Sequence, residues 1–264
     1  MTKNYLSKIA NLVRALTHNA AVYRVGVILR WRWLERSLAP LLMRATQHGK
    51  PLVVLDAGSG NGLNAFPLAR RYPASAWHGV ELNPDLVRLC QARSAKEKLP
   101  NLTFTQGDLT ESQGAERFDL AYSIDVIEHI EEDRLAIGNL ARSLRPGGWL
   151  LIHTPLAPQR HWFHRFDLDQ RAHPMHVREG YTVDDLQAKL REAGLEPLKL
   201  IYTHGRWGTL AWELWRLVEE SQLLSLLLRL PVELLIAIEL AFPPRWGNCV
   251  LIEAKKCDAP SAGS

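Results

Sequence analysis

The pattern of apolar and polar positions changes near residue 51. From there to about residue 156, short apolar runs alternate with longer amphipathic stretches of helical length. This alternation is typical of βαβ units, in which parallel strands form a sheet and helices cover its faces. The runs that predict strands are 52–55, 76–80, 102–104, 118–124 and 149–153.

Outside this region the pattern predicts further helices and two more strands. Thr182 begins a near capping box, which predicts a helix ending near Gly194, and apolar runs predict strands at 198–203 and 249–254. The predicted organisation has five segments. They are a basic and apolar helical segment at 1–48, a core at 49–204, an apolar helical insertion at 205–246, the last strand of the core at 247–256 and a disordered tail at 257–264.

The composition is that of a globular protein, but the charge is uneven. Residues 1–50 contain nine Lys/Arg and one Asp/Glu, formally +8, which leaves −4 for the rest of a chain whose net charge is +4. A basic segment on an acidic body favours an anionic partner: a membrane surface, a nucleic acid or a phosphorylated substrate. The alternative is a set of solvated helix faces.

The three cysteines, Cys90, Cys249 and Cys257, are odd in number and far apart. This spacing argues against a disulfide framework and for a reducing compartment. The first residues also lack the apolar core and cleavage site of a secretory signal. The expected location is cytoplasmic, with the inner face of a membrane left open.

The strongest local motif is the stretch 53–62, Val-Val-Leu-Asp-Ala-Gly-Ser-Gly-Asn-Gly. A buried strand leads into a glycine-rich loop and then into a helix predicted at 63–71. Glycines let the backbone turn sharply and let a ligand approach closely. The pattern D-x-G-x-G-x-G differs from the dinucleotide fingerprint, and Asp56 would repel a pyrophosphate.

Two further acids follow predicted strands. Glu81 ends the second strand, where a carboxylate can bind both hydroxyls of a ribose. Asp108 follows the third strand and could accept a hydrogen bond from an exocyclic amine such as that of adenine. Because ligands of open α/β sheets bind at the carboxyl ends of strands, these acids and Asp56 predict one ligand site.

Together these motifs resemble the class I S-adenosylmethionine (SAM)-dependent methyltransferases, especially the ubiquinone/menaquinone-methyltransferase-like group. The resemblance covers about residues 50–204 and 249–254. It rests on five motifs in order, at 55–62, 79–83, 107–109, 118–130 and 144–152. It implies an α/β fold with a Rossmann-like seven-stranded sheet whose last strand is antiparallel. The N-terminal helices and the hydrophobic helical insertion before that strand are predicted from the sequence pattern and lie outside the resemblance.

The resemblance also implies the residues that bind SAM. Asp56 and the loop with Gly58, Ser59, Gly60 and Gly62 would hold the methionine part. Glu81 would bind the ribose, with Leu82 beside it and Asn83 adding a contact. Asp108 and Leu109 would flank the adenine, and Asp125 would line the junction of methyl donor and acceptor.

Methyl transfer from a sulfonium is an in-line displacement, so the protein mainly aligns the acceptor. If the acceptor is a hydroxyl, a general base helps, and the candidates are His129, Asp125 and His153. The aromatic and basic loop after the fifth strand is expected to contact the acceptor through Trp162, Phe163 and Arg165. No metal site is predicted, because the histidines of this region lack a helix to align them.

The insertion contains the apolar run 223–242, which carries too many charged residues for a spanning helix. On a helical projection its polar residues fall in an arc of roughly 120°. Pro231 is expected to start a new helix. The wide apolar face could cap an acceptor, lie in a bilayer interface or be buried in a homodimer. The polar residues are Gln222, Ser225, Arg229, Glu233 and Glu239.

The function that these features favour is SAM-dependent O- or C-methylation of an apolar small molecule, either soluble or a lipid or prenylated acceptor on an anionic membrane. An RNA or protein methyltransferase is an alternative, but no amine-methylating motif follows the fourth strand and no RNA module is present. Nucleic acid is therefore not expected as a partner. A non-catalytic SAM-binding subunit is the third hypothesis.

Overall fold

The computed structural model describes residues 25–47, 50–163, 177–218 and 220–257. The predictions for residues 1–24, for Arg165 and for the tail after Cys257 lie outside these ranges. The helices are α1 (Val25–Gln47), α2 (Ala65–Arg71), α3 (Pro84–Glu97), α4 (Asp133–Ser143), α5 (Val183–Glu192), α6 (Arg206–Val218) and α7 (Gln222–Ala241). The strands are β1 (Val53–Ala57), β2 (Ala76–Glu81), β3 (Leu102–Gln106), β4 (Phe118–Ile124), β5 (Leu144–Pro155), β6 (Leu195–Thr203) and β7 (Cys249–Lys256).

The described residues form a seven-stranded sheet in the order β3-β2-β1-β4-β5-β7-β6. The pairs among β1 to β5 are parallel, and β7 runs antiparallel to β5. The predicted Rossmann-like sheet with an antiparallel last strand is confirmed. Strand order reverses at β1 and β4, so the carboxyl ends of these two strands flank the crevice where such sheets bind ligands.

Helix starts follow the local sequence. The Asn83 side chain accepts a hydrogen bond from Asp85 N at 2.9 Å and caps α3. The Thr182 side chain accepts from Asp185 N at 3.2 Å and caps α5, as the near capping box predicts. The loop between β1 and α2 is longer than predicted, because α2 begins at Ala65 rather than at residue 63.

Two predicted boundaries are wrong. β5 begins at Leu144 rather than at residue 149, because Leu144 pairs with Phe118 before an irregularity and regular pairing resumes at Trp149. Gly147 and Gly148, which precede Trp149, lie within the strand. Helix α7 runs unbroken through Pro231, which lies on its exposed side, so no new helix starts there.

The chain divides into two compact units. The helical unit comprises the described residues within Met1–Trp33, Gln159–Pro174 and Tyr202–Asn248, and it contains α6 and α7. The sheet unit comprises those within Leu34–Pro158, Met175–Ile201 and Cys249–Ser264. This division differs from the predicted segments, since α1 contributes to both units and residues 159–163 group with the insertion.

Each unit has its own buried core. In the sheet unit the side chains of Val54, Leu55, Leu120, Leu150 and Leu151 are inaccessible or nearly so, which fits central strands covered on both faces. In the helical unit the buried apolar residues include Leu29, Trp33, Ala211, Trp215, Val232 and Ile236. Among the described residues, no helix combines the length and hydropathy needed to cross a bilayer.

Candidate active site

The glycine loop after β1 is anchored to β2 in the sheet unit. Gly58 N and Ser59 N both donate to Val80 O at 2.9 Å. Gly58, Gly60 and Gly62 have φ of +77°, +54° and +76°, which side chains rarely tolerate. A Cβ on Gly58 would lie 2.5 Å from Val126, whereas one on Gly60 would meet no described atom within 4 Å. The loop therefore turns tightly and leaves open space at Gly60, where a ligand can approach the backbone.

The Glu81 carboxylate is held in place at the end of β2. Its Oε2 accepts from Gly60 N at 2.8 Å, and its Oε1 accepts from Asn83 N at 2.9 Å. Each carboxylate oxygen can accept a further hydrogen bond, so two hydroxyls of a ribose can bind without displacing these contacts. Leu82, beside Glu81, is exposed, and the oxygen of the Asn83 side chain already caps α3.

Asp56 is a buried acid with unused hydrogen-bonding capacity. Burial raises the pKa of Asp56 to about 7, while the Tyr122 hydroxyl lowers this pKa and the Glu81 carboxylate raises it. Asp56 Oδ2 and the nearby Ser59 Oγ are buried, and neither has a hydrogen-bond partner among the described residues. Buried polar atoms are normally paired, so these two mark a place where a polar ligand completes the structure.

The loop after β3 fixes Asp108 and Leu109. Asp108 Oδ1 accepts from both the backbone N and the side-chain oxygen of Thr110 at 2.8 Å. The backbone oxygen of Leu109 accepts from the Asn139 side chain at 3.0 Å, and the Leu109 side chain is buried. An adenine at this loop would therefore meet Asp108 first, with little of the Leu109 side chain accessible.

Asp125 and His153 form a pair at the carboxyl ends of β4 and β5. Asp125 Oδ1 lies 2.5 Å from His153 Nδ1, and Asp125 N donates to His153 O at 2.9 Å. The Asp125 side chain is 17% exposed, whereas that of His153 is 1% exposed. Asp125 has a φ of +52°, a conformation that aspartate tolerates better than most residues. Because Val126 faces Gly58, this pair lies beside the glycine loop.

Of the three predicted bases, Asp125 and His153 therefore contact each other, whereas His129 lies on a single 3-10 turn at Ile127–His129 and is exposed. Sequence reasoning missed Tyr122, which faces Asp56. A strand register could have found it, since Asp56 and Tyr122 are register partners in β1 and β4.

The loop after β5 is held within the helical unit. The fully buried Glu213 carboxylate of α6 accepts from the backbone N atoms of Trp162 and Phe163 at 3.0 Å, and it contacts His161 Nδ1 at 3.0 Å. Asn248 bonds both the backbone N and the backbone O of Arg160. The predicted acceptor contacts of Trp162 and Phe163 stay predictions.

A family model described as a methyltransferase domain matches residues 30–200. This match covers more than half of the chain, so the chain belongs to the methyltransferase domain family. The prediction of a class I methyltransferase is confirmed by the family match and the fold, and the family agrees with SAM as the predicted cofactor.

Curated relatives match only part of their own length. The chain is 34% identical over 112 residues to the trans-aconitate 2-methyltransferase of Deinococcus radiodurans, covering 42% of this chain and 41% of that protein. It is 30% identical over 115 residues to a mitochondrial ubiquinone biosynthesis O-methyltransferase of Candida albicans, covering 42% of this chain and 35% of that protein. Less than half of each relative is therefore matched.

Solved structures share the fold. One is the phosphoethanolamine N-methyltransferase 2 of Haemonchus contortus in complex with S-adenosyl-L-methionine, with a TM-score of 0.57 and 20% identity. The similarity covers 79% of this chain and 49% of that one. At this identity the likeness concerns the fold alone.

The residues of the site fit SAM. The open space at Gly60 leaves room for the ligand backbone, and the Glu81 carboxylate offers two acceptors for ribose hydroxyls. Asp56 Oδ2, which has no partner among the described residues, offers an acceptor for an ammonium group.

Proposed function

We propose that this protein is a SAM-dependent methyltransferase that methylates a hydroxyl oxygen of an apolar small molecule, with Asp125 as the base. The observation that carries the proposal is the Asp125–His153 pair beside the glycine loop. A base is useful for a hydroxyl, which must lose its proton as the oxygen attacks carbon.

The sheet unit holds the cofactor through residues from three strand ends. Asp56 and the 58–62 loop bind the methionine part, Glu81 accepts from the ribose hydroxyls, and Asp108 accepts from the adenine amine. SAM, when bound, supplies an electrophilic methyl group on a sulfonium. The chain itself orients the acceptor and receives its proton.

Asp125 would accept the hydroxyl proton as the acceptor oxygen bonds to the methyl carbon and the carbon–sulfur bond breaks, with its electron pair left on sulfur. His153 is a positioning residue, because it is buried and holds the Asp125 carboxylate through Nδ1. Asp125 reaches the surface, so an acceptor meets its carboxylate before the imidazole. His129, exposed on its turn, takes no part in this proposal.

The carboxylate at this position also supports a neutral acceptor. A carboxylate acceptor, of the kind that trans-aconitate presents, is already anionic and needs no base. It would also be repelled by Asp125 at close range. An uncharged hydroxyl has neither disadvantage, and a relative named as a ubiquinone biosynthesis O-methyltransferase is consistent with this class. The apolar sequence of residues 205–246 supports an apolar acceptor.

The test is transfer of a labelled methyl group from SAM to a panel of acceptors, with SAM affinity measured by calorimetry. The panel contains prenylated phenols, short phenols without a tail, trans-aconitate, bulk tRNA and a protein mixture. We expect transfer to the phenolic oxygen, fastest for prenylated phenols. Transfer only to trans-aconitate, tRNA or protein would contradict the proposed acceptor. SAM binding without transfer to any acceptor would favour the non-catalytic hypothesis.

A further inference from the structure

Helix α7 buries polar side chains in the protein and exposes apolar ones to solvent. A helix on a protein surface normally turns its apolar side inward and its polar side to water. In α7 the polar residues Ser225 and Glu239 are buried in the helical unit, together with Val232 and Ile236 on the same side. Glu239 Oε2 accepts a hydrogen bond from Gly208 N of α6, so one oxygen of this buried carboxylate is bonded within the unit.

The opposite side of α7 is a row of exposed leucines. Leu223, Leu227, Leu230 and Leu234, here called the leucine stripe, are spaced four, three and four residues apart. They are 62–80% exposed, and the stripe leads to the exposed Phe242 just beyond the helix. Contiguous exposed apolar side chains of this kind mark an interaction surface rather than a solvated face.

The charge of the helical unit indicates which kind of partner binds the leucine stripe. The described residues of the helical unit contain 7 Lys/Arg and 4 Asp/Glu, formally +3. The described residues of the sheet unit sum to −1. Among the described cations of this unit, Arg245 is exposed three residues beyond Phe242, and Arg32 on α1 lies 4.0 Å from Glu233 of α7.

We propose that the leucine stripe binds the surface of an anionic lipid bilayer, with α7 lying in the interfacial plane. Leucines enter the acyl boundary, and cations of the same unit interact with anionic headgroups. Trp207 of α6, which is also exposed, has the side chain that favours the headgroup region. Since α7 does not qualify as a spanning helix, it would lie on the membrane rather than cross it.

A second copy of the chain fits this surface less well. The leucine spacing resembles the seam of a two-stranded coiled coil, but such a seam is flanked by charged pairs that set its partner. Here Leu224, Leu226, Pro231 and Ile238 extend the apolar surface on both sides of the stripe. A dimer through α7 would also bring together two units whose described residues each carry a formal charge of +3.

The experiment is flotation of the full chain with vesicles of phosphatidylcholine alone or mixed equally with phosphatidylglycerol, at low and high NaCl. The test variant is L227Q/L230Q/L234Q. Its matched control is L89Q/L135Q/L198Q, which changes three exposed leucines of the sheet unit. We expect binding to the anionic vesicles that weakens with salt, a loss of about tenfold or more in the test variant and no change in the control.

SAM affinity is measured in each variant, so a folding defect or a failed cofactor site is distinguished from lost membrane binding. A monodisperse, SAM-binding protein that does not float would overturn the proposal. Equal flotation of the test and control variants would also overturn it. If sedimentation equilibrium instead shows a dimer that only the test variant dissociates, a second copy covers the stripe. If the protein is a monomer that does not float, residues 1–24 become the segment to test as its cover.

Discussion

Each unit contains a buried acid, and these two acids, Glu213 and Asp56, differ in their hydrogen bonding. In the helical unit, both oxygens of Glu213 accept hydrogen bonds from the 161–163 loop, so this acid is satisfied by its own chain. In the sheet unit, Asp56 Oδ2 is buried without a partner among the described residues. Burial alone therefore does not identify a functional acid; unused bonding capacity at a strand end does.

The same contrast extends to the surfaces. The sheet unit directs its polar side chains to the ends of β1, β2, β4 and β5, where a cofactor and an acceptor fit. The helical unit turns the polar side of α7 inward and presents leucines outward. We therefore expect substitutions in the sheet unit site to change catalysis or cofactor affinity, and substitutions in the helical unit interior to change stability.

The largest expected effect is that of D125N. Asparagine keeps the size of the side chain and tolerates a positive φ, so the backbone is preserved while the base is lost. We expect kcat to fall by about 10²–10⁴ with SAM affinity within about twofold of the original. The measurement is steady-state transfer to the best hydroxyl acceptor, with calorimetry for SAM.

The control for this variant is D85N, since Asp85 is an exposed acid at the start of α3. It should leave kcat unchanged. A D125N enzyme with full kcat would show that alignment alone drives transfer. A variant H153Q should lower kcat and shift the pH profile of kcat, whereas a purely structural role for His153 would lower stability and leave that profile in place.

Local sequence was enough to predict the cofactor loop, because the glycines and the acids at strand ends lie within a few residues of each other. It also predicted α5 and the parallel strands, whose signals are equally local. The position of Tyr122 opposite Asp56 and the pairing of Asp125 with His153 depend on strand register, which a single sequence does not fix. A helical projection separates the polar and apolar sides of α7, but tertiary packing decides which side faces the protein.

The next largest effect is expected for E213Q in the helical unit. The amide has one acceptor oxygen in place of two and is uncharged, so it cannot accept all the bonds from the 161–163 loop. We expect the free energy of unfolding to fall by about 1.5–3 kcal/mol, measured by urea denaturation. SAM affinity should not change.

The matched control is E220Q, because Glu220 is an exposed acid of the same unit. It should leave the unfolding free energy within about 0.5 kcal/mol of the original. If E213Q weakened SAM binding at unchanged stability, the assignment of Glu213 to internal anchoring would be wrong.

Alanine substitutions at two helical glycines, Gly208 and Gly138, test how tightly helices pack in each of the two units. A Cβ on Gly208 of α6 would lie 2.5 Å from Glu239 Oε1 and 2.6 Å from Leu29 Cδ2, whereas the nearest atom to a Cβ on Gly138 of α4 is 3.5 Å away. We expect G208A to lower the unfolding free energy by about 1–3 kcal/mol and G138A to raise it by about 0.4–1 kcal/mol. Urea denaturation of both variants measures the difference. Equal effects would mean that α6 and α7 have room to separate.

A last prediction concerns the pH dependence that arises from Asp56. Its folded-state pKa of about 7 lies above the ordinary value of 3.8, so the folded protein without cofactor holds a proton that the unfolded chain has released between these two values. The stability of the cofactor-free protein should therefore fall as pH rises from about 4 to about 7. SAM binding should show the opposite trend, because its ammonium group favours the ionised carboxylate.

We expect the Kd for SAM to rise about tenfold for each pH unit below 7, since one proton competes with the ligand. The substitution D56N should remove this dependence and leave weaker binding at every pH, whereas D85N should keep the original profile. Calorimetry between pH 6 and 8 tests both, because the amino group of SAM is largely protonated in the lower half of this range. A Kd that stayed constant from pH 8 to pH 6 would show that Asp56 does not carry the charge that binds the cofactor. Asp56 Oδ2, which lacks a partner among the described residues, would then have to accept a hydrogen bond from a neutral donor. Asp56 would in that case resemble Glu213, whose carboxylate accepts from backbone N–H groups.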